Sequence, residues 1–216
     1  FKLAQGLKEG AGVQVAGAGR SVVGCKSPLT GGYGEADGGG FFGAEMRRAG
    51  FDAIVVHGRA AKPVYIYVHD GKAEIRPAEH LWGMTTLECQ QAVQAELGEK
   101  QARLAMIGPG GEKLVRYACV INDLKHAAGR TGVGAVMGSK NLKAIAARGR
   151  TPIPLADPDG LKALAKWMTE HWQEKSASLH DTGTDGGLLS LNEEGRLPTR
   201  NFQDGQFEGA EKVGGE

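Results

Sequence analysis

Between Lys125 and Arg148 the chain reads KHAAGRTGVGAVMGSKNLKAIAAR, small residues punctuated by cations. Few backbones can carry such a stretch. Glycine tolerates φ > 0 and lets a backbone come close to a ligand, and successive N–H groups in such a loop form an anion-binding concavity. Arg130 adds a planar fork suited to phosphate, and Lys125, His126, Lys140 and Lys143 add further donors. Leu142–Ala147 is apolar enough to be a buried strand anchoring the loop. The physical reading is a rigid cradle for a polyanion or a heterocycle. Lys140 and Asn141 either reach a phosphate or cap the following strand, with the cap favoured.

The rest of the chain predicts an α+β fold: β-sheet layers bearing glycine-rich cofactor-binding loops, a few peripheral helices, then the start of a helical domain. Strands are expected near 20–26, 52–57, 63–69, 72–76, 103–107, 114–121 and 142–147, with GPGG at 108–111 turning the fifth into the sixth. Asp70–Gly71 marks a tight hairpin between YIYVH and KAEIR. In that strand Tyr65 and Tyr67 share one face, and Val64, Ile66 and Val68 form the apolar face that packs inward. Helices are expected at 41–49, closed by Gly50, and at 85–97, capped by Thr85 or Thr86 with Leu87, Ala92, Val93 and Leu97 inward. A third, at 157–175, carries Leu161, Leu164, Ala165, Met168 and Trp172 on one face and gives way to short helix and polar loop from Ser176. Residues 1–18 read as loop leading into a strand, with Val13 and Val15 alternating. Gly31–Gly40 holds six glycines in ten residues and reads as a flexible loop that something must hold. TPIP at 151–154 reads as a linker, dividing the chain into 1–150 and 151–216.

Composition excludes several classes. A net charge of +1, with cations interspersed among acids, argues against nucleic acid as a partner. No apolar run approaches the ~18 residues of a membrane span. Cys25, Cys89 and Cys119 are odd in number and far apart, so they read as buried small hydrophobes in a reducing cytoplasm. The histidines lack metal-ligand spacing. GVGAVMG misses the dinucleotide spacing, and with no strand read before it NAD binding is rejected.

AAGRTGVGAVMGSKNLKAI resembles the signature segment of the tungsten-containing aldehyde:ferredoxin oxidoreductases, in their N-terminal pterin-binding domain. KSPLTG at 26–31, GGGFFGAE at 38–45 running into AGFDAIVVHGRAAKPVYIY, and IGPGGEKLVRYACVIND at 107–123 resemble the same family in the same order. Together these blocks cover roughly residues 20–148. The resemblance implies oxidation of an aldehyde to a carboxylic acid, with electrons leaving through a [4Fe–4S] cluster to ferredoxin. It implies a tungsten or molybdenum bis-molybdopterin cofactor, its metal held by dithiolene sulfurs and by no protein ligand. Homodimerisation, or a complex with electron-transfer subunits, would follow. The family's chains begin earlier and carry their cluster cysteines later, so the resemblance implies a fragment incomplete at both ends. Catalytic acid/base residues and the cluster ligands would lie outside it.

Carried over position by position, the resemblance makes Arg20, Asp37, Gly39, Gly40, His126, Ala127, Gly129 and Arg130 the cofactor-binding residues. Arg20 alone reads as a strand-edge arginine; the family places an arginine there between pterin and cluster. Asp37 stands where the family more often has Asn, and as a carboxylate it accepts from ring N–H groups but cannot donate. Gly39 and Gly40 would offer backbone N–H groups, although the segment alone reads equally as a turn. His126 stands where Arg is common, so its contact would depend on its proton. Ala127 and Gly129 would contribute backbone and Arg130 its charge. Two other readings compete: a non-catalytic glycine-rich module for a phosphorylated ligand, and a family member acting on a non-aldehyde substrate such as an aromatic thioester.

Overall fold

The computed structural model describes residues 3–7, 13 and 18–215. Two compact units divide the chain, Phe1–Ala156 and Asp157–Glu216. In the first, strands β1 (Leu3–Leu7), β2 (Ser21–Lys26), β3 (Tyr33–Gly38) and β4 (Ala53–Val56) form an antiparallel sheet in the order β3-β2-β1-β4. Strands β5 (Val64–His69), β6 (Lys72–Pro77), β7 (Arg103–Met106), β8 (Val120–Asn122), β9 (His126–Ala128) and β10 (Leu142–Arg148) form a second sheet. Its order is β6-β5-β10-β7-β8-β9, with only β5 and β10 parallel.

Helices α1 (Phe42–Arg48) and α4 (Val133–Ser139) touch strands of both sheets and lie between them rather than at the periphery. Phe42 and Met46 from α1 and Val133, Val136 and Met137 from α4 join Leu3, Val23 and Cys25 of the first sheet and Val68, Ile107 and Ile145 on the other side. The opposite face of the second sheet forms another core, in which Tyr65, Leu104 and Ala146 meet Cys89 and Val93 of helix α2 (Thr86–Leu97). β10 is covered on both sides, and its residues 142–147 are all buried.

Local chemistry sets the element ends. Asp70 and Gly71 both take positive φ, 46° and 74°, as a two-residue hairpin turn with right-handed twist requires. Thr85 caps α2 in a reciprocal box: its hydroxyl accepts from Glu88 N–H at 3.3 Å and Glu88 Oε2 accepts from Thr85 N–H at 2.8 Å. Gly50 follows α1 at φ 95°.

Several expectations need correction. Residues 3–7 are a strand rather than loop, and Val15 lies outside the described residues. Tyr33–Gly38 is a strand, not a flexible loop: Gly34, Ala36 and Gly38 face inward where larger side chains have no room, and Tyr33, Glu35 and Asp37 face out. The turn-and-strand reading of 108–121 fails because Pro109 opens a short helix, α3 (Pro109–Glu112), and Leu114 at φ 58° redirects the chain. Only Val120–Asn122 pairs as a strand. Both faces of β5 are packed, since Tyr65 and Tyr67 enter the outer core while Val68 enters the inner one. On α2, Leu87 is exposed, and Cys89 with Val93, one turn apart, point inward.

In the second unit, Asp157 caps α5 (Pro158–Thr182) through Gly160 N–H at 2.9 Å. The helix runs seven residues past the expected end at 175, and α6 (Leu188–Glu193) follows. No residue of α5 is buried: Leu161, Ala165, Met168 and Trp172 are half-buried, and Leu164 is exposed. Among the described residues no helix is long and apolar enough to cross a membrane.

Gly134 and Gly138 of the Lys125–Arg148 stretch serve this packing. α4 presses its backbone against α3 and against residues 118–119, so a methyl group on Gly134 would overlap the Cys119 carbonyl oxygen and one on Gly138 the Gly111 carbonyl oxygen. Gly138→Ala should therefore lower stability by roughly 1–3 kcal/mol. Gly110→Ala, where nothing stands within 4 Å, should stay within about half a kcal/mol of wild type. Thermal unfolding of the two variants checks this.

Burial also shows in titration. Tyr65 donates to Glu96 Oε1 at 2.7 Å in the outer core, and burial first, then that hydrogen bond, push its phenol up to about 12. An unfolded tyrosine releases its proton near ~10, so the folded state binds more protons above that pH. The stability involved is present below ~10 and is lost as pH rises towards about 12. Tyr65→Phe should shrink the fall in urea midpoint between about pH 9 and about pH 11.

Candidate functional site

Edge strands β3 and β9 bring the two sheets together. β8 and β9 form a hairpin with Asn122 opposite His126, and both Asp123 and Leu124 at its bend take left-handed φ, 50° and 65°. Between β3 and the segment after β9 lies a cleft of about 550 Å³, lined by Glu35, Ala36, Asp37, Ala127, Gly129 and Arg130.

Four of the eight predicted cofactor-binding residues, Asp37, Ala127, Gly129 and Arg130, thus line one concave surface from distant parts of the chain. His126, Gly39 and Gly40 lie beside it. A methyl group on Gly39 would stand 3.0 Å from His126 Nδ1, and one on Gly40 would stand 2.9 Å from His126 Cδ2 and 2.7 Å from Asp123 Oδ2. These two glycines are shaped by the chain's own packing and are not among the cleft-lining residues. Arg20 is exposed and immediately precedes Ser21, which pairs with Gly38 across β2 and β3. Its backbone is one step from the Gly39–Gly40 turn, outside the cleft lining.

Lys140 and Lys143 of the central stretch serve elsewhere. Lys140 is buried and donates to the Gly58 carbonyl at 2.8 Å, while Asn141 donates to the Ala60 carbonyl at 2.8 Å. Burial holds the Lys140 ammonium below its usual range. Lys143 is fully buried, paired with Glu112 and donating to the Met84 carbonyl at 2.8 Å. A strand, β9, does precede GRTGVGAVMG, against expectation, and the second half of the motif, from Val133, is helix α4 itself. The Gly134 N–H in the first turn of that helix is already taken by the Ala118 carbonyl at 2.9 Å.

Glu35 and Ala36 are the lining residues that the glycine count concealed. The alternation Tyr33, Glu35, Asp37 against Gly34, Ala36, Gly38 is a legible period of two. Glu35 Oε2 accepts from the Tyr33 hydroxyl at 2.7 Å, and this bond is the main cause raising the Tyr33 phenol. Asn122 and Asp123 left no local signal, because their partners lie more than eighty residues away.

The donor set narrows the ligand. Two carboxylates and one guanidinium suit a bare polyanion poorly, since the carboxylates would repel it. They suit a heterocycle whose ring N–H groups meet the carboxylates and whose anionic group meets Arg130. Gly129 adds a steric argument: a methyl group there would meet only Cys119 Sγ, at an ordinary 3.7 Å. The chain's own packing does not demand glycine at this position, so the open space faces the cleft. Among the described residues no group of three or more His, Cys, Asp or Glu side chains could hold a metal ion.

The model of the aldehyde ferredoxin oxidoreductase N-terminal domain matches residues 3–149. A tungsten-containing aldehyde ferredoxin oxidoreductase from Thermococcus kodakarensis is 46% identical over 207 residues, covering 92% of this chain and 33% of that protein. The WOR-like subunit of an aliphatic sulfonate oxidoreductase from Pyrococcus furiosus is 37% identical over 178 residues, covering 75% of this chain and 28% of that protein. Among solved structures, the BamBC active-site complex of benzoyl coenzyme A reductase with 1,5-dienoyl-CoA aligns with a TM-score of 0.77 and 33% identity, over 82% of this chain and 27% of that one. The chain thus spans about a third of the length of the tungsten-containing relatives it matches. A match running from the first residue of β1 to just past the end of β10, with relatives at this identity, makes the chain a member of the aldehyde ferredoxin oxidoreductase family.

Proposed function

We propose that residues 1–150 form the pterin-binding part of a tungsten- or molybdenum-dependent aldehyde oxidoreductase, and that 151–216 link it to a helical domain. The reaction is oxidation of an aldehyde with water to a carboxylic acid, releasing two protons and two electrons. Ferredoxin would accept the electrons, and a [4Fe–4S] cluster held by residues outside this chain would supply the path to it. When bound, the metallopterin supplies the oxygen transfer and the redox change. The chain's own residues bind and orient. Asp37 and Glu35 accept ring N–H groups, Arg130 holds an anionic oxygen with its fork, and the space at Gly129 admits a flat ring against the backbone. His126 and Arg20 border the same surface, His126 donating to an anion in a proton-dependent way. The observation that carries this reading is Gly129, a glycine without an internal reason, opening onto a cleft whose side chains match a heterocycle with an anionic tail.

A second reading, a family member acting on an aromatic thioester, is favoured by the likeness to the benzoyl coenzyme A reductase complex. Assaying the full gene product against aldehydes and aromatic coenzyme A thioesters, with ferredoxin as partner, separates the two: turnover of thioesters alone would replace the aldehyde assignment.

Arg130 is exposed, so Arg130→Ala should leave the melting temperature of the cofactor-free protein nearly unchanged. It removes a charge-assisted contact worth ~1.5–3 kcal/mol, at least about tenfold in cofactor affinity. Arg130→Lys should recover only part of this, because a point charge does not replace the fork. Gly129→Ala should likewise spare folding and lower tungsten content. Metal analysis of full gene product grown anaerobically with tungstate checks both variants. Full tungsten occupancy in each would show that the cleft is not the cofactor site.

A further inference from the structure

The cleft has two walls carried by different sheets, and one pair of side chains ties them together. Asn122 is fully buried, and its Nδ2 donates to the Gly39 carbonyl at 3.1 Å and to Ser21 Oγ at 3.3 Å. Its neighbour Asp123 accepts at Oδ2 from Phe41 N–H at 2.6 Å and from Phe42 N–H at 3.2 Å, fixing the turn that leads from β3 into α1. Arg103 braces the arrangement, lying 4.9 Å from the centre of the Phe41 ring and 3.9 Å from Asp123 Oδ1. The glycines opposite are cut to fit: a methyl group on Gly38 would stand 2.6 Å from Asn122 Nδ2, and one on Gly40 2.7 Å from Asp123 Oδ2. Gly40 at φ 89° also adopts a backbone that other residues avoid.

Two buried oxygens of this pair, Asn122 Oδ1 and Asp123 Oδ1, have no hydrogen-bond partner. A buried acceptor without a donor is costly, so packing alone does not account for a polar pair here. Both residues sit on the hairpin whose next strand enters the cleft at Ala127, and both hold the turn that follows Asp37.

We infer that Asn122 and Asp123 are positioning residues that latch the Gly39–Phe42 turn to the β8–β9 hairpin and so fix the spacing of the two walls that grip the cofactor. This rests on the cofactor-cleft reading above. The latch acts through geometry: with either side chain gone, β3 and its carboxylates shift relative to Gly129 and Arg130, and a ligand that must touch both walls loses one of them.

The test uses the full gene product grown anaerobically with tungstate, as wild type, Asn122→Ala, Asp123→Ala, Asp123→Asn and Val93→Ala. Tungsten per chain is measured, together with the melting temperature and the hydrogen exchange of the Phe41 and Phe42 amides in cofactor-stripped protein. Asp123→Ala should speed that exchange, and both alanine variants should weaken cofactor retention roughly tenfold. Asp123→Asn keeps an acceptor for the two amides and should restore most of the tungsten. Val93→Ala opens a cavity in the outer core, away from the cleft, and should lower the melting temperature without lowering tungsten. Full tungsten in Asp123→Ala despite faster exchange would overturn the latch, as would an equal loss of tungsten in Val93→Ala. Arg130→Ala run alongside separates the two claims: if it loses tungsten while Asp123→Ala keeps it, the cleft assignment stands and the latch falls, and if it keeps tungsten the cleft assignment falls and the latch's role with it.

Discussion

Close backbone packing of α4 is the constraint from which the rest of the first unit follows. A helix can lie between two sheets, against α3 and the 118–119 segment, only if its contacting positions carry no side chain, and Gly134 and Gly138, one turn apart, meet that condition. The position of α4 in turn sets where β10 begins, and β10 is the strand around which the second sheet is ordered. It also leaves Gly129 and Arg130 on the surface at the seam between the sheets, where the cleft opens.

Charge is distributed in two tiers around this frame. Fixed pairs hold elements together: Lys143 with Glu112 ties β10 to α3, and Arg148 with Glu45 at 3.1 Å and Glu99 at 3.3 Å ties the end of β10 to α1 and to the segment after α2. Removing one partner of a buried pair such as Lys143–Glu112 would leave an uncompensated charge costing about 3–5 kcal/mol. Arg130, Glu35 and His126, by contrast, lie on the surface at the seam between the sheets. A surface guanidinium contributes little to folding. The Arg130 guanidinium lines the same cleft as the Glu35 and Asp37 carboxylates.

Much of the fold was legible from local chemistry. Alternation and the Asp70–Gly71 turn located β5 and β6, and the capping threonine at 85 or 86 located the start of α2. Two of the failures, β3 and α4, share one cause, which is glycine. In β3 and in α4 glycine fills positions where another element comes close, and a sequence alone does not tell such a glycine from one in a mobile loop. The cleft was partly legible for the same reason. Gly129 and Arg130 were found through the motif, but Glu35 was hidden among glycines. The family block at 107–123 ends on Asn122 and Asp123, but their role was not legible because their hydrogen bonds reach across more than eighty residues. Contacts of that range belong to topology, not to any local pattern.

The central claim is that the surface shared by Asp37, Ala127, Gly129 and Arg130 holds the metallopterin. Crystals of the full gene product, prepared anaerobically with tungstate and measured on either side of a tungsten absorption edge, test it most directly. The account predicts anomalous density for the metal with pterin density running from it into this cleft, in contact with Arg130. A tungsten site whose pterins avoid the cleft, with Arg130 facing solvent or another part of the protein, would contradict it.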